Sequence, residues 1–144
     1  MPFLKIWIHL VWSTKNRAPF LTSDIRQQVF SHIRENALNK NIHLDFVNGH
    51  IDHVHVLISL NQKQTIAEIM QLIKGESSFW INKNNLCKAK FEWQDEYFAV
   101  SVSESGINNV REYIKNQDEH HKKKNFEEEY DEFIKKYGFK IMKG

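Results

Sequence analysis

Short apolar runs and longer amphipathic segments alternate along the 144 residues of this chain. The short runs are rich in aromatic and β-branched residues and favour strands, whereas apolar residues in the longer segments recur every three or four positions, as on one face of a helix. The pattern predicts strands at residues 3–13, 42–47, 53–60 and 97–102. It predicts helices at residues 25–39, 65–81 and 126–137, and a further helix that ends near residue 121.

The resulting order is β-α-β-β-α-β-α-α. Its first six elements match the ferredoxin-like, or RRM-like, arrangement, an antiparallel sheet with helices on one face. We therefore predict an α+β fold of this type with additional C-terminal helices. The chain has no internal repeat and no low-complexity tract, and nothing in it indicates a second domain, so we expect a single domain over residues 1–144.

Local signals refine these elements. Asn48-Gly49 is typical of a hairpin turn between the second and third strands, and Gly138 is suited to cap the last helix. The predicted core consists of the apolar stripe of the first helix and most of the large aromatic residues: Ile25, Val29, Ile33, Ala37, Trp7, Trp12, Phe46, Phe79 and Trp80.

Composition narrows the class of protein. Hydrophobic residues make up 41% of the chain and charged residues 26%, and no segment approaches the apolar length of a membrane span. The N-terminal run lacks the features of a secretory signal, and the single Cys87 cannot form an internal disulfide. We therefore expect a cytoplasmic protein that does not enter a membrane.

The net charge of +2 permits nucleic-acid binding without arguing for it. Basic residues in the predicted loops are candidates for phosphate contacts: Lys15, Arg17, Lys88 and Lys90. The acidic run Glu127–Glu129 is interpreted as a solvated face of the last helix.

The most informative segment is His53-Val54-His55 within the third predicted strand. Successive side chains of a strand point to opposite faces, so both imidazoles lie on one side while Val54 and its apolar neighbours lie on the other. Two imidazoles held side by side can share one divalent cation, although a pair of strand histidines is more often structural.

A second segment strengthens the interpretation of His53 and His55 as metal ligands. Tyr113 and Gln117 are four residues apart on a predicted helix and therefore share a face. They lie beside the stripe of Ile107, Val110 and Ile114 rather than within it.

Five segments together resemble the single-tyrosine HUH transposases, which include the REP-associated tyrosine transposases. In chain order the segments are His9–Arg17, Asp52–His55, Phe91–Tyr97, Ser101–Ser103 and Tyr113–Gln117. Glu96 departs from the family pattern, because it stands where members usually carry glycine.

The resemblance implies an enzyme that cleaves and rejoins single-stranded DNA through a covalent 5′-phosphotyrosine intermediate. It assigns Tyr113 as the nucleophile and His53, His55 and Gln117 as ligands of Mg²⁺ or Mn²⁺. It also implies a homodimer, in which active sites can be shared between subunits, and DNA ends that can contain hairpins.

Two alternatives remain open at this point. One is a non-catalytic or domesticated nucleic-acid-binding module on the same fold, and the other is a zinc hydrolase that uses His50, His53 and His55. Asp52 either orients a histidine or ends the turn. His9 is interpreted mainly as a packed or partly exposed strand residue and only secondarily as an active-site neighbour, and we assign no catalytic role to His120-His121.

Overall fold

Four antiparallel strands form one sheet in the computed structural model, which describes residues 2–122 and 124–137. The strands are β1 (Trp7–Ser13), β2 (His43–Gly49), β3 (His53–Ser59) and β4 (Phe98–Val102), and their order in the sheet is β2-β3-β1-β4. This is the strand order of a ferredoxin-like fold, and it confirms the predicted fold class. The register pairs Ser13 with His53 and Val11 with His55.

Five helices accompany the sheet in the described part of the chain. They are α1 (Ser23–Asn39), α2 (Ile66–Lys83), α3 (Ile107–Lys115), α4 (Gln117–His121) and α5 (Phe126–Tyr137), and short 3₁₀ turns occur at Lys15–Arg17 and Glu104–Gly106. The third predicted helix is divided into α3 and α4, because Asn116 leaves helical geometry with φ of −94° and ψ of 28°.

The two faces of the sheet are covered by different helices. Residues at even positions of β1 and β3 pack with α1 and α2 into the main core, which includes Leu10, Trp12, Val54, Val56, Ile33 and Ile69. On the opposite face, Trp7 and Leu57 pack against α3, and Val11 packs against Phe126 of α5. The additional C-terminal helices therefore cover the face that carries His53 and His55.

Two local expectations change in the structure, and a third is not tested. Asn48 and Gly49 lie within β2, and the chain turns at residues 50–52 instead. Phe79 is 65% exposed on α2 and is not part of the core. Gly138 lies outside the described residues.

Glycine is required at position 49, because a Cβ atom there would lie 2.2 Å from the carbonyl oxygen of His53. In the described part of the chain, no helix has both the length and the apolar character needed to cross a membrane.

Candidate metal and tyrosine site

His53 and His55 are fully buried between the sheet and the C-terminal helices. The Nδ1 atom of His53 lies 2.9 Å from Oδ1 of Asp52, and Nδ1 of His55 lies 2.9 Å from Nε2 of His9. Partners of this kind fix the orientation of histidines that bind metals. Asp52 therefore orients His53, and both Nε2 atoms are directed to a common point.

Two side-chain oxygens meet the histidines at that point. Oε1 of Gln117 lies 3.0 Å from Nε2 of His53, and Oε1 of Glu129 lies 2.7 Å from Nε2 of His55 and 3.6 Å from Nε2 of His53. Ligand atoms of His53, His55 and Glu129 all lie within 4.8 Å of one another, so these residues could hold a divalent cation.

The hydrogen-bonding roles of these atoms fit a cation. A neutral His53 that donates from Nδ1 to Asp52 presents a lone pair at Nε2, and that lone pair faces the carbonyl oxygen of Gln117. The Gln117 amide is oriented with Nε2 3.4 Å from the carbonyl oxygen of Tyr113, so its oxygen faces the histidines. A positive charge between these atoms would satisfy acceptors that cannot satisfy each other.

The charges of the site are set by burial and by one carboxylate. Burial lowers the pKa of His55 to about 4, against the opposing influence of Glu129. Burial and the neighbouring His55 lower the pKa of His9 to about 3. Burial would raise the pKa of Glu129, but hydrogen bonds from His121 and His55 outweigh it and hold that pKa well below its usual range. At pH 7 the site therefore combines the neutral imidazoles of His9 and His55 with the ionised carboxylate of Glu129, and imidazole nitrogens and carboxylate oxygens are donors suited to divalent metals.

Tyr113 lies at the edge of this group and is half-buried. The centre of its ring is 5.5 Å from that of His55 and 5.2 Å from that of His120. Two clefts border the tyrosine: one of about 230 Å³ is also lined by His9 and Glu129, and another of about 390 Å³ is also lined by His120. Burial, and then the negative charge of Glu129, raises the pKa of Tyr113 well above its ordinary value.

Helix α3 is fixed to the sheet at both ends of the segment that carries Tyr113. The guanidinium of Arg111 donates two hydrogen bonds, of 2.7 and 2.8 Å, to the carboxylate of Asp45 on β2. The side-chain amide of Asn48 donates to the carbonyl oxygens of Ile114 and Lys115, at 2.9 and 3.2 Å. These contacts position the tyrosine, and the change of direction at Asn116 places the next residue, Gln117, in the buried site.

The structure thus brings together four residues selected from the sequence: His53, His55, Tyr113 and Gln117. The basic candidates are distributed differently. Lys15 pairs with Glu92 at 3.4 Å, and the guanidinium of Arg17 lies 5.4 Å from the ring centre of Phe126, which stacks on His53. Lys88 and Lys90 line a separate cleft beside Cys87.

Three residues of the site are not assigned to it by the sequence, namely Glu129, His120 and His121, and His9 is assigned to it only as a secondary interpretation. Glu129 is only 1% exposed, although the acidic run was expected to be solvated, and its Oε2 lies 2.8 Å from His120 and 3.1 Å from His121. His9 is buried in its strand and lies beside His55, which agrees with its secondary interpretation as a neighbour of the site. The one available signal was the spacing of Glu129 from Phe126, three residues, which places both on one face of α5.

The three-histidine arrangement considered for a zinc hydrolase is not assembled. The ring of His50 stacks on that of His121, with centres 5.0 Å apart, instead of facing the Nε2 atoms of His53 and His55. Among the described residues, the groups able to hold a metal do not include His50.

Comparison with known proteins identifies relatives over most of the chain. The ISDra2 transposase TnpA of Deinococcus radiodurans is 25% identical over 115 residues, which are 76% of this chain and 81% of that protein. The transposase for insertion sequence element IS200 of Salmonella typhimurium is 27% identical over 114 residues, 76% of this chain and 74% of that protein.

Two solved structures share the fold. A crystal structure from Deinococcus radiodurans R1, assigned as a transposase, has a TM-score of 0.66 and 24% identity, and the match covers 81% of this chain and 93% of that one. A REP-associated tyrosine transposase bound to a REP hairpin has a TM-score of 0.62 and 14% identity, with 84% and 72% coverage.

The family described as "Transposase IS200 like" matches residues 3–117, which include β1, the His53 and His55 pair, Tyr113 and, at the last matched position, Gln117. Because that match spans far more than half of the chain, the protein belongs to the IS200-like transposases, a family of enzymes that transfer DNA strands.

Proposed function

We propose that this protein cleaves and rejoins single-stranded DNA through a covalent bond between Tyr113 and a 5′-phosphate. The observation that carries the proposal is the position of Tyr113, whose ring centre lies 5.5 Å from that of His55 while Gln117, four residues further on, contacts His53. The phenol of Tyr113 therefore lies beside the residues that we propose to bind a cation, His53, His55 and Gln117, on the same chain.

The chemistry is an exchange of one phosphodiester for another. The phenol of Tyr113 gives up its proton as its oxygen forms a bond to the scissile phosphorus, the bond from phosphorus to the 3′-oxygen breaks, and that oxygen takes up a proton to leave as a 3′-hydroxyl. A 3′-hydroxyl then gives up its proton as it attacks the phosphorus of the phosphotyrosine, the bond from phosphorus to the phenolic oxygen breaks, and the phenol takes up a proton. The bond energy is conserved, so rejoining needs no ATP.

His53, His55 and Gln117 are the residues that we propose to hold Mg²⁺ or Mn²⁺, with Glu129 as an additional oxygen donor. A divalent cation at this point supplies polarisation of the phosphate and compensation of its developing negative charge. Two imidazoles among the donors favour Mn²⁺ over Mg²⁺, because Mg²⁺ prefers oxygen ligands.

The chain's own residues hold Tyr113 as a neutral phenol. Burial and the carboxylate of Glu129 both oppose its ionisation, which keeps the pKa of Tyr113 high. Compensation of the charge of Glu129 would remove the second of these two influences and lower the pKa of Tyr113.

Basic residues at one end of the sheet are suited to guide the DNA. Lys15 and Arg17 follow β1 directly, and the last residue of β1 pairs with His53. We propose that they contact backbone phosphates near the site, as phosphate contacts position a strand without reading its sequence. Lys88 and Lys90 lie at a cleft separate from the site, so they would contact DNA at a greater distance from the scissile phosphate. A DNA hairpin at the end of a mobile element is the candidate partner there.

We also propose that the protein acts as a homodimer in the cytoplasm. Tyr113 lies against His55 of its own chain, which favours an active site built from one subunit. Mixing Tyr113→Phe protein with His53→Ala protein tests this point: we expect no recovery of cleavage, whereas recovery would show that subunits share their sites.

The decisive experiment incubates the protein with single-stranded DNA from the flanks of its own gene in the presence of Mn²⁺. We expect a protein–DNA band that resists denaturation, that is lost in Tyr113→Phe and that persists in the matched control Tyr97→Phe, which alters a tyrosine outside the site. DNA binding without this band in the unaltered protein would indicate a non-catalytic DNA-binding module and would overturn the proposal.

A further inference from the structure

We propose a second divalent-cation site formed by His120, His121 and Glu129. Ligand atoms of these residues all lie within 4.8 Å of one another, and both Nε2 atoms face Oε2 of Glu129, at 2.8 Å for His120 and 3.1 Å for His121. Glu129 would then bridge two cations, with Oε1 directed to His53 and His55 and Oε2 directed to His120 and His121.

Two buried atoms in this group are unsatisfied. Oε2 of Glu129 and Nε2 of His120 have no hydrogen-bond partner of suitable geometry among the described residues, although they lie 2.8 Å apart. Glu129 is 1% exposed, so this oxygen is removed from bulk solvent. A buried carboxylate oxygen without a partner is costly, and a cation held between the two atoms would remove that cost.

The orientation of His121 supports the same site. Its Nδ1 atom lies 2.7 Å from the carbonyl oxygen of Lys124, which can only accept, so Nδ1 carries the hydrogen. Nε2 then faces Oε2 of Glu129 and Oε1 of Gln117, each 3.1 Å away. Without a cation, a proton on Nε2 serves both oxygens, and a cation that displaces this proton would contact Nε2 and the same two oxygens.

The donor set defines the class of cation. Two imidazole nitrogens and one carboxylate oxygen, with room for water, suit Mn²⁺ or Zn²⁺ better than Mg²⁺ or Ca²⁺. Paired cations in phosphoryl-transfer sites lie about 3.5–4 Å apart and can contact one phosphate. The second site opens to the cleft that His120 and Tyr113 line together, so its use on a scissile phosphate rests on the proposed function.

The site is a property of the C-terminal part of this chain. The family match ends at residue 117, whereas His120, His121 and Glu129 all lie beyond it on α4 and α5. A short connection joins His121, at the end of α4, to Phe126, at the start of α5. Phe126 packs on Val11 and so holds the start of α5 against the sheet.

Cation stoichiometry tests the proposal without relying on DNA cleavage. Untagged, metal-free, full-length protein is titrated with Mn²⁺ by calorimetry and followed by electron paramagnetic resonance. We expect two Mn²⁺ ions per chain and a spectrum with magnetic coupling between them. His120→Ala should bind one ion and lose the coupling, and the matched control His43→Ala, on the exposed side of β2, should keep two.

The outcomes separate this proposal from the proposed function. One Mn²⁺ in the unaltered protein that is lost in His53→Ala but kept in His120→Ala overturns the second site and leaves the first. One Mn²⁺ that is lost in His120→Ala but kept in His53→Ala contradicts the cation of the proposed function. The coupled spectrum of the unaltered protein decides the matter even where a variant does not fold: its absence at saturating Mn²⁺ overturns the second site.

Discussion

Nε2 of His53 and Oε1 of Gln117 lie 3.0 Å apart at the point where the sheet meets the start of α4. Neither atom carries a hydrogen when His53 is neutral and donates from Nδ1 to Asp52. A proton or a cation between the two atoms would satisfy both of them, and under the proposed function Gln117 would contribute its oxygen to the cation site.

Substitution of Gln117 should change cation affinity in a direction set by the new side chain. Gln117→Ala removes an oxygen ligand, so we expect Mn²⁺ to bind at least about tenfold more weakly. Gln117→Glu keeps an oxygen and adds negative charge, so we expect tighter binding than in the alanine variant. Calorimetric titration of Mn²⁺ measures both changes.

The control for Gln117 is Gln71→Ala on the exposed face of α2, which should leave the affinity unchanged. Equal Mn²⁺ affinity in Gln117→Ala and the unaltered protein would remove Gln117 from the cation site.

Two of the buried histidines make the metal-free protein sensitive to acid. The folded protein has pKa values of about 4 for His55 and about 3 for His9, both below the ordinary value of 6.5. The unfolded chain therefore binds more protons below pH 6.5, and the free energy of unfolding falls as the pH is lowered. The raised pKa of His121 partly offsets this loss, since its stabilisation is fully present below pH 6.5.

Denaturant unfolding at pH 7.5 and pH 5, with a chelator present, measures the effect. Each depressed histidine should cost roughly 2 kcal/mol over this interval, because one pKa unit corresponds to about 1.4 kcal/mol. His9→Asn should lose less stability on acidification than the unaltered protein, and His43→Asn, at an exposed position, should lose as much. An identical loss in His9→Asn would contradict the assignment.

The local part of the site was predictable from the sequence, and the part assembled by distant contacts was not. Alternation along β3 places His53 and His55 on one face, and the four-residue spacing predicts Tyr113 and Gln117 as neighbours, which they are, although the break at Asn116 assigns them to different helices. Glu129 instead belongs to an acidic run that resembles a solvated helix face. Its burial depends on the packing of Phe126 on Val11, residues far apart in the chain.

His9 illustrates the same limit within the sheet. Its contact with His55 depends on the register in which β1 pairs with β3, and the two residues are 46 positions apart. A histidine alternating with apolar residues is compatible with several registers. Only the pairing of Leu10 with Val56 and of its neighbours brings His9 to the site.

Asn48 was interpreted as a turn residue, but its contacts give it a positioning role. Its side chain donates to the carbonyl oxygens of Ile114 and Lys115, which end the helix that carries Tyr113. Asn48→Ala removes both hydrogen bonds, so we expect a loss of about 1–2 kcal/mol in the free energy of unfolding. The yield of covalent adduct should fall further, because Tyr113 and Gln117 both depend on where α3 ends.

Adduct yield at several DNA concentrations, measured where the variant is fully folded, separates these effects for Asn48. The control Asn39→Ala, at the exposed end of α1, should preserve the yield. If Asn48→Ala loses stability but retains the full yield of adduct, its role is structural only.

Two glycines in different surroundings provide a matched test of the backbone around His53. At Gly49 an added Cβ would lie 2.2 Å from the carbonyl oxygen of His53 and 3.0 Å from Cα of Val54, so the backbone of β3 has to move. At Gly75, inside α2, an added Cβ meets nothing within 4 Å. Gly49→Ala should therefore destabilise the protein by about 1–3 kcal/mol, whereas Gly75→Ala should stabilise it by about 0.5–1 kcal/mol.

The same pair of variants connects stability to the site. Movement of β3 at His53 displaces one imidazole, so Gly49→Ala should also weaken Mn²⁺ binding, while Gly75→Ala should bind Mn²⁺ as the unaltered protein does. Denaturant unfolding and Mn²⁺ titration of both variants measure the two quantities. Unchanged Mn²⁺ affinity in a destabilised Gly49→Ala protein would mean that β2 yields to the new methyl group and that β3, with both histidines, keeps its place.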